Sequence, residues 1–105
     1  MTNPWRGEVT LVIDGQVCVM RLTLGALAGL EAALAEPSLV ALVERFEQGR
    51  FSSSDVLALL KVGVLGGGCA VTPEALDHAE IEGGPMAAAR AAAELIARAF
   101  VVPGA

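Results

Sequence analysis

Apolar and polar residues alternate on both sides of Asp14-Gly15, and the two halves are in phase. Asp-Gly between β-rich runs marks a two-residue hairpin turn, because that turn needs positive φ at both central positions. Counting outward pairs Ile13 with Gln16, Val12 with Val17, Leu11 with Cys18, Thr10 with Val19, Val9 with Met20 and Glu8 with Arg21. One face then carries Val9, Leu11, Ile13, Cys18, Met20 and Leu22, and a slip of one residue would expose all of them. The other face carries Val12, Val17 and Val19, with Glu8 opposite Arg21. A hairpin over about residues 6–22 is therefore expected. A two-stranded ribbon is marginal alone, so the rest of the chain has to cover its inner face.

After Thr23, a natural N-cap, the period changes from 2 to 3.6. Leu24, Leu27, Leu30 and Leu34 form one stripe of a helix over about 24–35. Glu31 falls near that stripe, where its stem packs and its carboxylate reaches water. Glu36-Pro37-Ser38 breaks the chain, and a second helix over about 38–48 buries Leu39, Leu42, Val43 and Phe46. Its polar side is Glu44, Arg45, Glu47 and Gln48, and Gly49 ends it. Ser52 with Asp55 reads as a capping box for a third helix over about 53–65, with Phe51 as its staple. That helix is apolar nearly all round, so it is central or covered by a partner. Gly66-Gly67-Gly68 reads as a flexible break. Thr72-Pro73 opens a fourth helix over about 73–82, and Pro85 a fifth over about 85–101. The fifth repeats Met86, Ala89, Ala93, Ile96 and Phe100, with Arg90, Glu94 and Arg98 as a solvent-side ladder.

The predicted fold is thus α+β: one domain over 1–105, an N-terminal β-hairpin followed by about five short helices packed as a small bundle. Composition sharpens this only slightly. The chain is 54% hydrophobic, but much of that is alanine and only four residues are aromatic, so the core is thin. A net charge of -5 argues against nucleic acid and against an anionic membrane surface. Residues 86–102 carry Arg90, Glu94 and Arg98, which excludes a spanning helix. Residues 1–5 form a short leader without the apolar run of a signal peptide, and Trp5 caps the edge of the core. Cys18 and Cys69 stand in no Cys-x-x-Cys arrangement and read as two reduced thiols, which places the protein in the cytoplasm.

Candidate chemistry is sparse. The Gly63–Gly68 run lacks the Gly-Lys-Ser/Thr of a phosphate loop. His78 is the only histidine, and Asp77, His78 and Glu80 point different ways on a helix, so no metal site is expected. Ser52 to Ser54 have no histidine partner, and no spacing selects an acid–base pair. No catalytic residue, metal or cofactor is expected, and the protein is not read as an enzyme. What remains is exposed apolar surface and two free strand edges, which are templates for another chain.

Pro4-x-Arg6-Gly7-Glu8-Val9 leads into the hairpin. Arg21-Leu22-Thr23-Leu24-Gly25-Ala26-Leu27-Ala28-x-Leu30-Glu31 follows, then Leu39-x-x-Leu42-x-x-Arg45-Phe46, Phe51-Ser52-x-x-Asp55-Val56 and Glu82-Gly83-Gly84-Pro85. In order and spacing this set resembles the small tail-module protein of bacterial gene transfer agents, a family similar to phage tail assembly chaperones. The resemblance runs from Asn3 to about Phe100. It implies a non-enzymatic cytoplasmic chaperone that binds tail-tube or tape-measure protein before assembly. A structural component of the finished tail is the first alternative. A small ligand-binding domain is the second, and it would need a deep polar pocket gathering Glu31, His78 or Asp77. The contact residues expected are Val12, Val17 and Val19 on the outer hairpin face. Leu27, Glu31 and Leu34 go with the family motif in the first helix, with plain core packing as their other reading. A homo-oligomer is left open.

Overall fold

A computed structural model describes residues 7–99, the side chain of Leu39 excepted. The hairpin is β1 (Val9–Ile13) and β2 (Gln16–Met20), joined by Asp14 and Gly15 at φ 52° and 78°. Two successive positive φ values make the turn whose twist matches that of the strands. The register is the expected one, from Ile13 with Gln16 to Val9 with Met20. The inner face is buried in full: Val9, Leu11, Ile13, Cys18, Met20 and Leu22 all belong to the core.

Four α-helices follow: α1 (Leu24–Ala33), α2 (Leu39–Glu47), α3 (Ser53–Gly67) and α4 (Gly84–Ala99). Thr23, Ser38 and Ser52 each accept a backbone N–H with their side-chain oxygen at the start of α1, α2 and α3. The capping box of Ser52 and Asp55 is complete in both directions. All three helices close with an N–H donated to a carbonyl five residues back, around a left-handed Ala35, Gly49 or Gly68. α3 is the central element and touches β2, α4, α1 and the turn that follows it.

Several expectations are corrected. The fourth predicted helix is a single 3-10 turn, Glu74–Asp77. Thr72 caps it as expected, with the Ala75 N–H at 3.3 Å from Oγ1. Beyond Asp77 the chain extends, because Asp14 N–H donates to Glu80 O at 2.8 Å and Glu82 N–H to Val12 O at 3.0 Å. A short pairing of Ile13 with Ile81 thus occupies β1's outer edge and takes those residues away from a helix.

The glycine run is not a break. Gly66 and Gly67 are the last residues of α3 and lie flush against β2. A Cβ on Gly66 would land on Arg21 O, and one on Gly67 on Val19 O. Arg21 N–H also donates to Gly63 O at 3.0 Å. Neither edge of the ribbon is therefore wholly free, against the expectation of two free edges.

The two cysteines are not separate thiols. Cys18 and Cys69 form a disulfide across 51 residues, with Cα atoms 5.5 Å apart. Gly68, left-handed at the end of α3, turns Cys69 back toward the buried Cys18 on β2.

The apolar stripes of α1 and α4 are also misplaced at one end. Leu24 and Met86 are 76% and 73% exposed. α4 instead buries Ala88, Ala91, Ala92, Leu95 and Ile96, a face rotated from the Met86–Ala89–Ala93 stripe. Trp5, Phe100 and the leader lie outside the described residues.

Arg45, expected on the solvent side of α2, ties three elements together. Its guanidinium donates to Leu34 O at 2.9 Å, to Glu36 Oε2 at 2.9 Å and to Asp55 Oδ2 at 2.6 Å. Glu36 first, and then Asp55, hold its pKa above the ordinary arginine value. Asp55 is buried and also accepts the Ser52 N–H. Arg45→Ala leaves that carboxylate short of its counter-charge and opens the end of α1. It is expected to cost about 2–3 kcal/mol, the range for a hydrogen bond to a charged group with its partner left behind. Urea denaturation of the variant checks this. A midpoint within error of the parent would show the network to be ornamental.

Candidate protein interface

The outer hairpin face is open at one end. Val17 is 71% exposed, while Val12 and Val19 are half-buried. Val12 is drawn in by the Ile81 segment and Val19 by the C-terminal glycines of α3. On α1, Leu27 is 6% exposed and belongs to the core, so it packs the domain and offers no surface. Glu31 and Leu34 are half-buried on the same helix. The structure therefore does not gather the six expected contact residues into one patch.

It gathers a different set. Between the N-terminal halves of α3 and α4 lies an apolar groove of about 560 Å³. Its floor is buried side chains: Val56 and Leu60 from α3, Leu76 from the 3-10 turn and Ala88 from α4. Its walls are half-buried Phe51, Leu57, Ile81 and Ala89, and Met86 stands exposed at the mouth. Phe51 is held in place by stacking on Phe46, with ring centroids 5.1 Å apart. Its polar lining is Ser52 and Ser53 at the start of α3 and Asp77, which pairs with Lys61 at 2.9 Å. Leu76 and Ile81, from the segment between α3 and α4, line the groove without filling it.

Of the three residues a polar ligand pocket would need, Asp77 alone lines it; Glu31 and His78 do not. Among the described residues no cluster of histidine, cysteine, aspartate and glutamate could hold a metal ion. No helix among them is long and apolar enough to cross a membrane.

A smaller hollow at Thr23, Ala26, Val62, Leu65 and Gly66 sits where α1 meets α3, with exposed Leu65 in its lining.

The family model for phage tail tube protein, GTA-gp10, matches residues 6–101. The chain belongs to that family. It is a tail-module protein of the gene transfer agent type, as the hairpin and helix motifs implied. The match covers both strands and every helix described above. No curated protein and no solved structure matches the chain.

The signal for the groove was present in the sequence as the all-round apolarity of residues 56–65, which calls for cover on more than one side. The position of the cover was not. The groove joins residues 51–60, 76–81 and 85–89, and no periodicity within one segment reports that juxtaposition.

Proposed function

We propose that this protein is a structural subunit of a phage-like tail, packing against other tail proteins through its apolar groove and the open end of its hairpin. The observation that carries the reading is the match to a tail tube family over residues 6–101. The surface supports it: the groove and exposed Val17 and Met86 offer apolar area for a permanent neighbour to bury. Its role is non-enzymatic, holding partners by contact.

A chaperone that covers tail-tube or tape-measure protein and then leaves is the second reading, and the same exposed apolar surface supports it. Quantitative mass spectrometry of purified particles separates the two. The structural reading expects this chain at a fixed ratio to the other tail proteins, unchanged by further purification. Its absence from particles, together with its co-purification with a soluble tail protein from the producing cell, would replace the structural reading with the chaperone one.

A further inference from the structure

The chain that crosses from α3 to α4 is fastened to the sheet at two points. At its start, Cys69 is bonded to Cys18 on β2. Near its end, Asp14 N–H donates to Glu80 O, Glu80 N–H to Asp14 Oδ1 and Glu82 N–H to Val12 O. Between these fastenings, residues 70–80 hold one 3-10 turn, and Leu76 is their single buried residue. A segment with so few buried side chains opens locally at low cost once a fastening is lost. This strap carries Leu76 and Asp77 into the lining of the groove, with Ile81 at its far fastening, so its position sets the shape of that groove.

The two sulfurs have different surroundings. Cys18 is 1% exposed on the inner face of β2. Cys69 is half-buried between exposed Gly68 and exposed Ala70. A Cβ added at Gly68 would meet nothing within 4 Å, so the approach is open on that side. A thiolate that opens a disulfide attacks one sulfur and expels the other, and access decides which is attacked. In-line attack on Cys18 would have to come through the core. Attack on Cys69 comes from the solvent side and leaves the Cys18 sulfur packed as a small apolar group. The Val71 N–H donates to Cys69 Sγ at 3.4 Å, and the same bond favours negative charge on that sulfur when Cys69 is the thiolate.

We propose that the Cys18–Cys69 bond is a redox-operated lock on this strap. Among reducing thiols the chain folds as a dithiol with the strap loose; in an oxidising medium the bond closes and fixes the groove wall. Opening consumes two small thiols and yields the dithiol chain and one small disulfide. The first thiolate bonds to Cys69 Sγ, the Cys18–Cys69 bond breaks, and the Cys18 sulfur takes a proton. The second thiolate bonds to the small thiol's sulfur in that mixed disulfide and releases Cys69, which is protonated in turn. Closing is the reverse, driven by excess small disulfide. The lock deepens the reading above only in treating the groove as contact surface.

The test uses the full chain, with labelled amides and methionine methyls, in reduced and in oxidised glutathione. The facing pairs Thr10–Val19 and Val12–Val17 should give the same cross-strand NMR contacts in both buffers, showing that the fold persists. On reduction the amides of 70–79 should gain motion in relaxation measurements, and the Met86 methyl at the groove mouth should shift. Intact mass spectrometry of the single variants reads which sulfur is attacked. In Cys18→Ala, the remaining Cys69 should take up glutathione at least about tenfold faster than Cys18 does in Cys69→Ala. A reduced parent that unfolds, a strap equally rigid in both buffers, or capture at Cys18 as fast as at Cys69 overturns the proposal. Each of these leaves the particle-composition test of the tail role standing.

Discussion

Reduction of the Cys18–Cys69 bond is expected to cost about 4 kcal/mol. The bond closes 51 residues, and the chain-entropy relation gives that figure for a loop of this length. In a domain of this size each kcal/mol lowers the melting temperature by about 4–8 °C, so the shift should be about 16 °C or more. The folded state itself loses little. Cys18 remains a small apolar residue in the core, and Cys69 stays half-buried beside it. Thermal unfolding with and without dithiothreitol measures the effect. Cys69→Ala should melt at the lower temperature in both buffers. Identical melts of the parent in both buffers, with two titratable thiols per chain, would show the bond to be absent in solution.

Gly67→Ala is the second large effect. Its Cβ would fall on Val19 O and 2.8 Å from Met20 Cα, and both are backbone atoms of a strand buried on its other face. The strand cannot retreat without dragging Cys18 and Met20 out of register with α3 and α4. The expected cost is about 3 kcal/mol or more, the upper end for forcing atoms into a packed site. Gly29→Ala in α1 is the matched comparison, since nothing lies within 4 Å of the added carbon. There the change should raise stability by about 0.5–1 kcal/mol through helix propensity alone. Equilibrium denaturation of both variants decides it. Equal and small effects at the two sites would mean that α3 does not lie against β2 as described.

Those two sites also show where reading the chain ran out. The hairpin was legible down to its register, because Asp14-Gly15 fixes the turn and strict alternation fixes the faces. The capping residues Thr23, Ser38 and Ser52 were legible for the same local reason: each acts on atoms three residues away. Gly66 and Gly67 were not, since a glycine that admits a neighbouring strand and one that loosens a chain look alike until the strand is in place. The pairing of Cys18 with Cys69 has no spacing signature either. α4 failed for want of contrast: from Ala87 to Ala93 only Arg90 is not alanine, so no face stands out as apolar. The core takes the face with Leu95 and Ile96, and Met86 is left to the groove. Arg45 looked like an ordinary surface cation because its acceptors, Leu34 O, Glu36 and Asp55, come from α1's end and α3's start. Exposed apolar side chains are spread over the domain, at Val17, Leu24, Val40, Leu65 and Met86, and the groove lies between α3 and α4.

The first strand is finished by atoms that are synthesised late. Asp14 accepts the N–H of Glu80, 66 residues downstream, and Glu8 O accepts from Arg98, 90 residues downstream. At about 5–20 residues per second, the ribosome needs roughly 3–13 s to pass from the turn to its latch. Until residues 84–99 are also made, Val9, Leu11 and Ile13 lack the α4 surface that packs on β1. A chain ending before α4 is therefore expected to leave the apolar inner side of its ribbon partly uncovered.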